Sequence, residues 1–325
     1  MRPGRFALCE GEAAMSASSS PAAPQPPRKP PELIDRGIMF ALIAVIIFAA
    51  QDGLSKHLAS NYPPIFVVTV RYWAFAIFVL ALSARRPGGI RAAARTAHPW
   101  LQIGRGALLS FQVVVAITAF AKVGLAQSHA IMASAPLIVA ALSMPILGEP
   151  VGWRRWLAIA VGLGGILLIL RPGLGATDLN VLYAVAGAIG MAAYGLMTRL
   201  AGRYDGPDTS FFYTGVAGAA AITLIGVWSA ENMTPGDWGW MALLCVTGMS
   251  GHYFLIRAFT LSSAVVVQPI TYLQLVLATF IGIFMFGEQV DRLTILGAAI
   301  VVGAGLFTAW RESIAKRRAS AVPTS

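Results

Sequence analysis

Charge is what this sequence has least of. Asp, Glu, Lys and Arg make up 12% of its 325 residues, against about 25% in an ordinary soluble domain. A water-soluble fold of this size needs a polar shell, and so few charges do not supply one. Cysteine is equally sparse: Cys9 lies in a polar tail and Cys245 in an apolar run, and there are no others. That excludes a disulfide-stapled secreted scaffold. With no CxxC pair and four histidines far apart, the chain has no metal-ligand motif either. No GxxxxGK[ST] phosphate loop occurs, so no ATP site is expected, and no cofactor is implied. Acid is scarcer than base, 14 residues against 24. The resulting charge of +10 would suit a nucleic acid, but Lys and Arg sit in tails and short loops rather than along one groove. Nucleic acid is therefore not an expected partner; a lipid bilayer is.

What is present is apolar. AVILMFWYC account for 57% of the chain and the mean hydropathy is +0.71. Beyond residue 36 the sequence reads as span, short loop, span. Ten runs fall at 37–58, 64–84, 99–121, 128–147, 154–170, 179–199, 209–229, 238–257, 264–286 and 293–310. Each reaches or approaches the roughly 20 residues a helix needs to cross a bilayer. The alternating pattern of a membrane barrel is absent, so the expected fold is an all-α polytopic membrane protein. Residues 1–35, rich in Ser, Ala and Pro, form a compositional zone without periodicity and are expected to be a disordered tail. They lack the apolar core of a signal peptide. Met15 is as acceptable a start as Met1, since nothing before it reads as structural. Residues 311–325 form a second tail, basic and short.

Positive charge sets the expected orientation. Counting from a cytoplasmic N-terminus, inner segments collect Arg28, Lys29, Arg36, Arg85, Arg86, Arg91, Arg95, Arg154, Arg155, Arg199, Arg203, Arg257 and the basic tail. The outer ends hold only Lys56, Lys122, Arg171 and Arg292. The positive-inside rule then places both termini in the cytoplasm.

Two stretches read alike. LAQSHAIMASAPLIVAALSMPILGEPVGWRRWLAIAVGLGGILLIL and LSSAVVVQPITYLQLVLATFIGIFMFGEQVDRLTILGAAIVVGAGLF each run from an apolar helix through Gly-Glu and a turn to a Gly-rich helix. Aligning Gly148–Glu149 with Gly287–Glu288 sets span four on span nine and span five on span ten. The period is five spans, an odd number, so the halves must be inverted: ten transmembrane helices as two inverted five-helix repeats. GEPVGWRRWLAIAVGLGGILLILRPG and FGEQVDRLTILGAAIVVGAG resemble the ends of the two halves of an EamA-type member of the drug/metabolite transporter superfamily, and Arg71 in VVTVRYWAF matches the arginine usual there. The resemblance implies repeats at 36–173 and 174–310, residence in a bacterial inner membrane, and secondary transport of a small organic solute (amino acid, metabolite or drug-like) by alternating access. It does not name the solute. One chain holds both half-sites, so a monomer suffices, with a weak homodimer as the alternative. The halves are not equivalent: Pro136 lies 13 residues before Glu149, and Pro269 lies 19 before Glu288.

Polar groups at membrane depth are costly and mark candidate sites. Span one carries Gln51, Asp52 and Lys56. Asp52 and Arg71 lie at similar depths by rise counting, so an Asp52–Arg71 pair is geometrically open, and Asp52 and Lys56 share a helix face. The cluster reads equally as a charged gate or solute-carboxylate site and as a structural salt bridge. Asp52 would carry a coupling proton if transport is proton-driven. Gln112, Tyr194, His252, Gln268 and Tyr272 are the other lining candidates, with the Gln268/Tyr272 face of span nine preferred over Gln274. Arg105 and Arg257 read as snorkelling to headgroups. Glu149 and Glu288 fall at opposite membrane faces, too far apart to share a reaction, and are expected to cap the helix that follows or to bind turn amides. Gly162, Gly164, Gly165, Gly187 and Gly190 suggest close helix packing. A membrane channel would want a ring of repeated selectivity residues, which the chain lacks. An intramembrane serine enzyme is suggested by Gly248-Met249-Ser250-Gly251, but no histidine follows His252, and His252 lies two residues from Ser250 on the same helix.

Overall fold

The computed structural model describes residues 36–147, 152–171, 178–262 and 264–320. Gly148 and Glu149 lie outside the described residues, as do residues 1–35. The elements are α1 (Arg36–Asn61), α2 (Pro64–Ala84), α3 (Gly89–Ala93), α4 (Pro99–Lys122), α5 (Leu125–Met132), α6 (Ala135–Leu147), α7 (Trp153–Leu170), α8 (Val181–Ala201), α9 (Pro207–Gly226), α10 (Pro235–Leu261), α11 (Ala264–Thr271), α12 (Leu273–Phe286) and α13 (Arg292–Ser320). They make ten spans long and apolar enough to cross a membrane. Every described element is helical.

Sequence sets most of the boundaries. Pro64, Pro99, Pro207 and Pro235 open their helices, where a missing N–H costs nothing and φ is already helical. Thr234 and Asp237 cap α10 reciprocally: the Asp237 amide donates to Thr234 Oγ1 at 3.2 Å, and that hydroxyl donates to the Asp237 carboxylate at 2.8 Å. Gly287, in the left-handed region at φ 65°, ends α12, and its amide folds back to the Ile283 carbonyl.

Spans four and nine depart from the expected single helices. The first breaks between α5 and α6 at Ala133 and Ser134. Pro136 has no N–H to give the Met132 carbonyl, and Met132 is the last residue of α5. The second breaks at Tyr272, three residues past Pro269, where the Tyr272 and Leu275 amides bond to carbonyls three residues back.

Helix pairing follows the repeat. α1 packs on α10, and its counterpart α8 packs on α4; α1 meets α12 as α8 meets α6; α2 pairs with α9, α5 with α12 and α7 with α13. Exchanging the halves maps α1–α10 onto α8–α4 and α1–α12 onto α8–α6, and returns α2–α9 and α7–α13 to themselves. With five spans in each half, the second copy crosses in the opposite sense to the first, so the fold is two inverted five-helix repeats. The α7–α13 contact is backbone on backbone: a Cβ at Gly165 would stand 2.9 Å from the Gly297 carbonyl oxygen. Gly162 and Gly190 are likewise pressed by Leu137 and Gln112, whereas Gly164 meets nothing within 4 Å. Trp100, Trp153 and Trp228, at helix ends, are among the most exposed side chains, and Leu, Ile and Phe line the lateral surface. That is the distribution a lipid-facing bundle needs.

Candidate functional site

The bundle has two ends: the terminal end, where α1 starts and α13 finishes, and the distal end, where the loops 62–63, 123–124 and 287–291 lie. Near its middle and toward the distal end, α1 buries Ser55, which bonds to its own helix, and three longer polar side chains, Gln51, Asp52 and Lys56, at 6, 7 and 8% exposure. Each faces a different neighbour.

Lys56 donates to Glu288 Oε1 and lies 4.7 Å from the centre of the Phe286 ring. Glu288 also accepts the backbone amides of Leu125 (2.7 Å) and Ala126 (3.1 Å), the free N–H groups at the start of α5. A Cβ at Gly124 or Gly282 would stand within 2.9 and 2.6 Å of this carboxylate. Two glycines and a helix end thus form a fitted carboxylate seat. Glu288 caps a helix, as the sequence suggested, but it caps α5 of the other half rather than the helix that follows it. A pocket of about 280 Å³ opens beside it, lined by Lys56, Lys122, Glu288 and Asp291 among others.

Asp52 faces α5 and α12. Gln274 Nε2 donates to Asp52 Oδ2 at 2.6 Å. His129 Nε2 approaches the same oxygen at 3.0 Å, at ion-pair distance but outside hydrogen-bond geometry. The His129 ring is stacked on Phe120, centroids 5.0 Å apart.

Arg71 and Gln51 face α10. A Cβ at Gly248 would lie 3.5 Å from Arg71 Nε and 3.2 Å from Gln51 Oε1, so both side chains rest on this glycine. Among the described residues Arg71 has no hydrogen-bond or ion-pair partner. Gln51 Oε1 is fully buried and equally without a partner. His252, one turn along α10, has Nδ1 at 2.8 Å from the Gly248 carbonyl oxygen and sets its ring edge-on to Phe48.

Neither pairing drawn from sequence for Asp52, with Arg71 or with Lys56, is formed. Rise counting gives depth but not azimuth, and successive residues of a helix point about 100° apart. Gln51 and Asp52 therefore look into different neighbours, and Lys56 finds a better acid in Glu288. Gln112 joins helices: its Nε2 lies 3.5 Å from the Gly187 carbonyl oxygen of α8. Tyr272 turns to α13, where its hydroxyl occupies the space of a Cβ at Gly305. Gln274, passed over in the sequence reading, is the span-nine side chain that reaches Asp52; the Gln268 side chain lies outside the described residues.

Arg105 corrects the sequence reading most sharply. It does not snorkel. It is 1% exposed and donates to Gln102, Tyr194, Thr198, Thr214 and the Ser210 carbonyl. Tyr194 accepts from it at 3.0 Å. Close by, Asp205 accepts from Thr96 Oγ1 (2.6 Å) and Gln102 Nε2 (2.8 Å). Burial pushes the Asp205 carboxyl up, but these donors and the Ala97 amide outweigh it and hold the group below the usual carboxylate range.

The arrangement suits binding rather than bond making. Ser250 Oγ donates to the Val246 carbonyl at 2.8 Å, which leaves it bound to its own helix. Among the described residues no three His, Cys, Asp or Glu converge as a metal site. What stands ready is a guanidinium and an amide oxygen without partners, beside an acid held by two helices.

The model of the EamA-like transporter family matches the chain twice, at residues 35–171 and 179–310. The chain is 27% identical over 285 residues to an S-adenosylmethionine uptake transporter of Rickettsia felis, covering 87% of this chain and 95% of that protein. It is 26% identical to the pseudopaline exporter CntI of Pseudomonas aeruginosa strain UCBPP-PA14 (84% and 95% covered) and 28% identical to a riboflavin transporter of Vibrio cholerae (87% and 96%). A solved crystal structure superposes with a TM-score of 0.56 at 17% identity, covering 84% of this chain and 96% of that one, which speaks to the fold alone. The chain is a multi-pass membrane protein that carries small solutes by secondary transport, and it belongs to the EamA-like transporter family of the drug/metabolite transporter superfamily.

Proposed function

We propose that this transporter moves a small organic solute (an amino acid, a metabolite or a drug-like compound) by alternating access between the halves 36–173 and 174–310, and that Arg71 receives an anionic group of that solute. The observation that carries the reading is the unpartnered Arg71 guanidinium beside the buried, unpartnered Gln51 Oε1. A half-buried cation and an orphaned acceptor at membrane depth are costly unless a ligand or water completes them. A solute that offers an anion to Arg71 and a donor to Gln51 satisfies both. Phe48 and Phe75, each in ring contact with His252, supply with it an apolar wall for its body.

Asp52, held between Gln274 and His129, is the group that would take a coupling proton. The membrane is a bacterial inner membrane, and the terminal end of the bundle faces the cytoplasm. The relatives include an uptake transporter and an exporter, so direction is tested rather than inherited. The decisive measurement is uptake and efflux in right-side-out and inverted vesicles. The solute panel holds amino acids, S-adenosylmethionine and riboflavin. Arg71→Ala is expected to abolish the transport found while the protein still reaches the membrane. Near-normal transport by Arg71→Ala would overturn the site.

A further inference from the structure

At its two ends the bundle joins repeat-related helices by unlike chemistry. α4 and α10 are repeat-related, and both open with a proline, Pro99 and Pro235. Six residues on, α4 has Arg105 and α10 has Met241. At the distal end Met241 packs into an apolar cluster with Leu58 of α1 and Phe66 and Val67 of α2. At the terminal end Arg105 takes the corresponding place against α8 and α9, held there by hydrogen bonds to Tyr194 and Thr198 on α8 and to Ser210 and Thr214 on α9, with its guanidinium 5.4 Å from the centre of the Tyr194 ring. The surrounding seam is tight. A Cβ at Gly106 would stand 2.5 Å from the Tyr213 carbonyl oxygen, and the Tyr213 hydroxyl donates to the Ala94 carbonyl at 3.0 Å.

We infer that Arg105 is the latch of the terminal-end gate, a positioning residue that holds α4 against α8 and α9 in this state and releases them when the seam fills with water. All of its hydrogen-bond partners are neutral. The Asp205 carboxylate is linked to it through Gln102. A buried cation without a direct counter-ion is only partly compensated, so the closed seam sits close in energy to a hydrated one. An apolar plug has no such alternative, because its opening exposes hydrocarbon to water. The inference extends the alternating access proposed above, yet it concerns the resting balance of two states and needs no solute.

The test is a distance measurement by pulsed electron paramagnetic resonance on the full chain in lipid nanodiscs. Spin labels go on cysteines at Trp100, which is 83% exposed, and Gly206, where a side chain meets nothing within 4 Å. The background carries Cys9→Ser and Cys245→Ser. Arg105→Ala is expected to raise the population with separated α4 and α9 ends about tenfold. Arg105→Met, which copies the distal end, should remove that population. Tyr194→Phe, which deletes one acceptor and keeps the ring, should fall between wild type and Arg105→Ala. A purely structural arginine would lower melting temperatures and leave the ratio of distances unchanged in all three, which would overturn the inference. If Arg105→Ala does not fold, an unchanged ratio in Arg105→Met and Tyr194→Phe overturns it equally. A failed Arg71 transport assay leaves these distances untouched, so the two readings fall separately.

Discussion

At the scale of single residues, the polar side chains that α1 and α2 carry at membrane depth divide into a satisfied pair and an unsatisfied one. Lys56 and Asp52 have partners; Gln51 and its neighbour Arg71 have none. Substitutions should separate them. Glu288→Gln removes the charge opposite Lys56 from a partly buried seat, and leaving such a group without its partner costs about 1–3 kcal/mol. A clear fall in the melting temperature of purified protein, with residual transport by the folded fraction, is the expected outcome. Arg71→Ala should do the reverse, sparing stability and removing transport. Asp52→Asn keeps the Gln274 contact through a neutral oxygen. It should slow transport and, if Asp52 carries the coupling proton, flatten its dependence on pH in proteoliposomes. Loss of folded protein in both Arg71→Ala and Asp52→Asn, with recovery in the double variant, would instead mark a structural cluster.

At the scale of elements, α7 and α13 are joined through glycine and through one cap. Gly297→Leu drives a side chain into the Gly165 carbonyl and Ile169. Overpacking of this kind costs about 1–3 kcal/mol and should appear as a lower yield of monodisperse protein. Asp291 caps α13: the amides of Leu293 and Thr294 donate to it at 2.8 and 3.0 Å, and Arg171, at the end of α7, pairs with it. Burial raises this carboxyl, but the Thr294 amide and hydroxyl, Arg171 and the Leu293 amide together hold it below the ordinary range. A folded-state value below the unfolded one stabilises the protein above about pH 4 and loses that contribution as pH falls further. Asp291→Asn should therefore flatten the fall in melting temperature between neutral and strongly acidic buffer.

At the scale of the whole molecule, orientation follows from charge that the bundle leaves at its ends. Arg85, Arg86, Arg91 and Arg95 lie between α2 and α4, whereas the segment before α10 and its first turn offer Glu231 and Asp237 and no Lys or Arg. A reporter fused after residue 90 should read cytoplasmic, and one near residue 233 external. A reversed result at either point breaks the assignment of ends. The pairing list also requires that α1–α7 superpose on α8–α13 after a rotation of about 180° about an axis in the membrane plane. An axis along the membrane normal would contradict the odd-numbered repeat.

The sequence by itself determined the number, order and near-limits of the spans, because hydrophobic length and proline starts are local properties that no tertiary contact need supply. It also carried the five-span period, through the two Gly-Glu turns and the Gly-rich helices after them. It placed Gln51, Asp52 and Arg71 at comparable depth, since depth is a count along one helix. Partnership was decided only by the fold. Which neighbour a side chain meets depends on helix azimuth and on which helices pack together, so Asp52 went to Gln274 and His129, and Lys56 to Glu288. Arg105 shows the limit most plainly. Near the end of a span its long side chain reads as one that escapes to the headgroups, and only the close approach of α8 and α9 turns it inward. There five acceptors replace the water it would otherwise have kept.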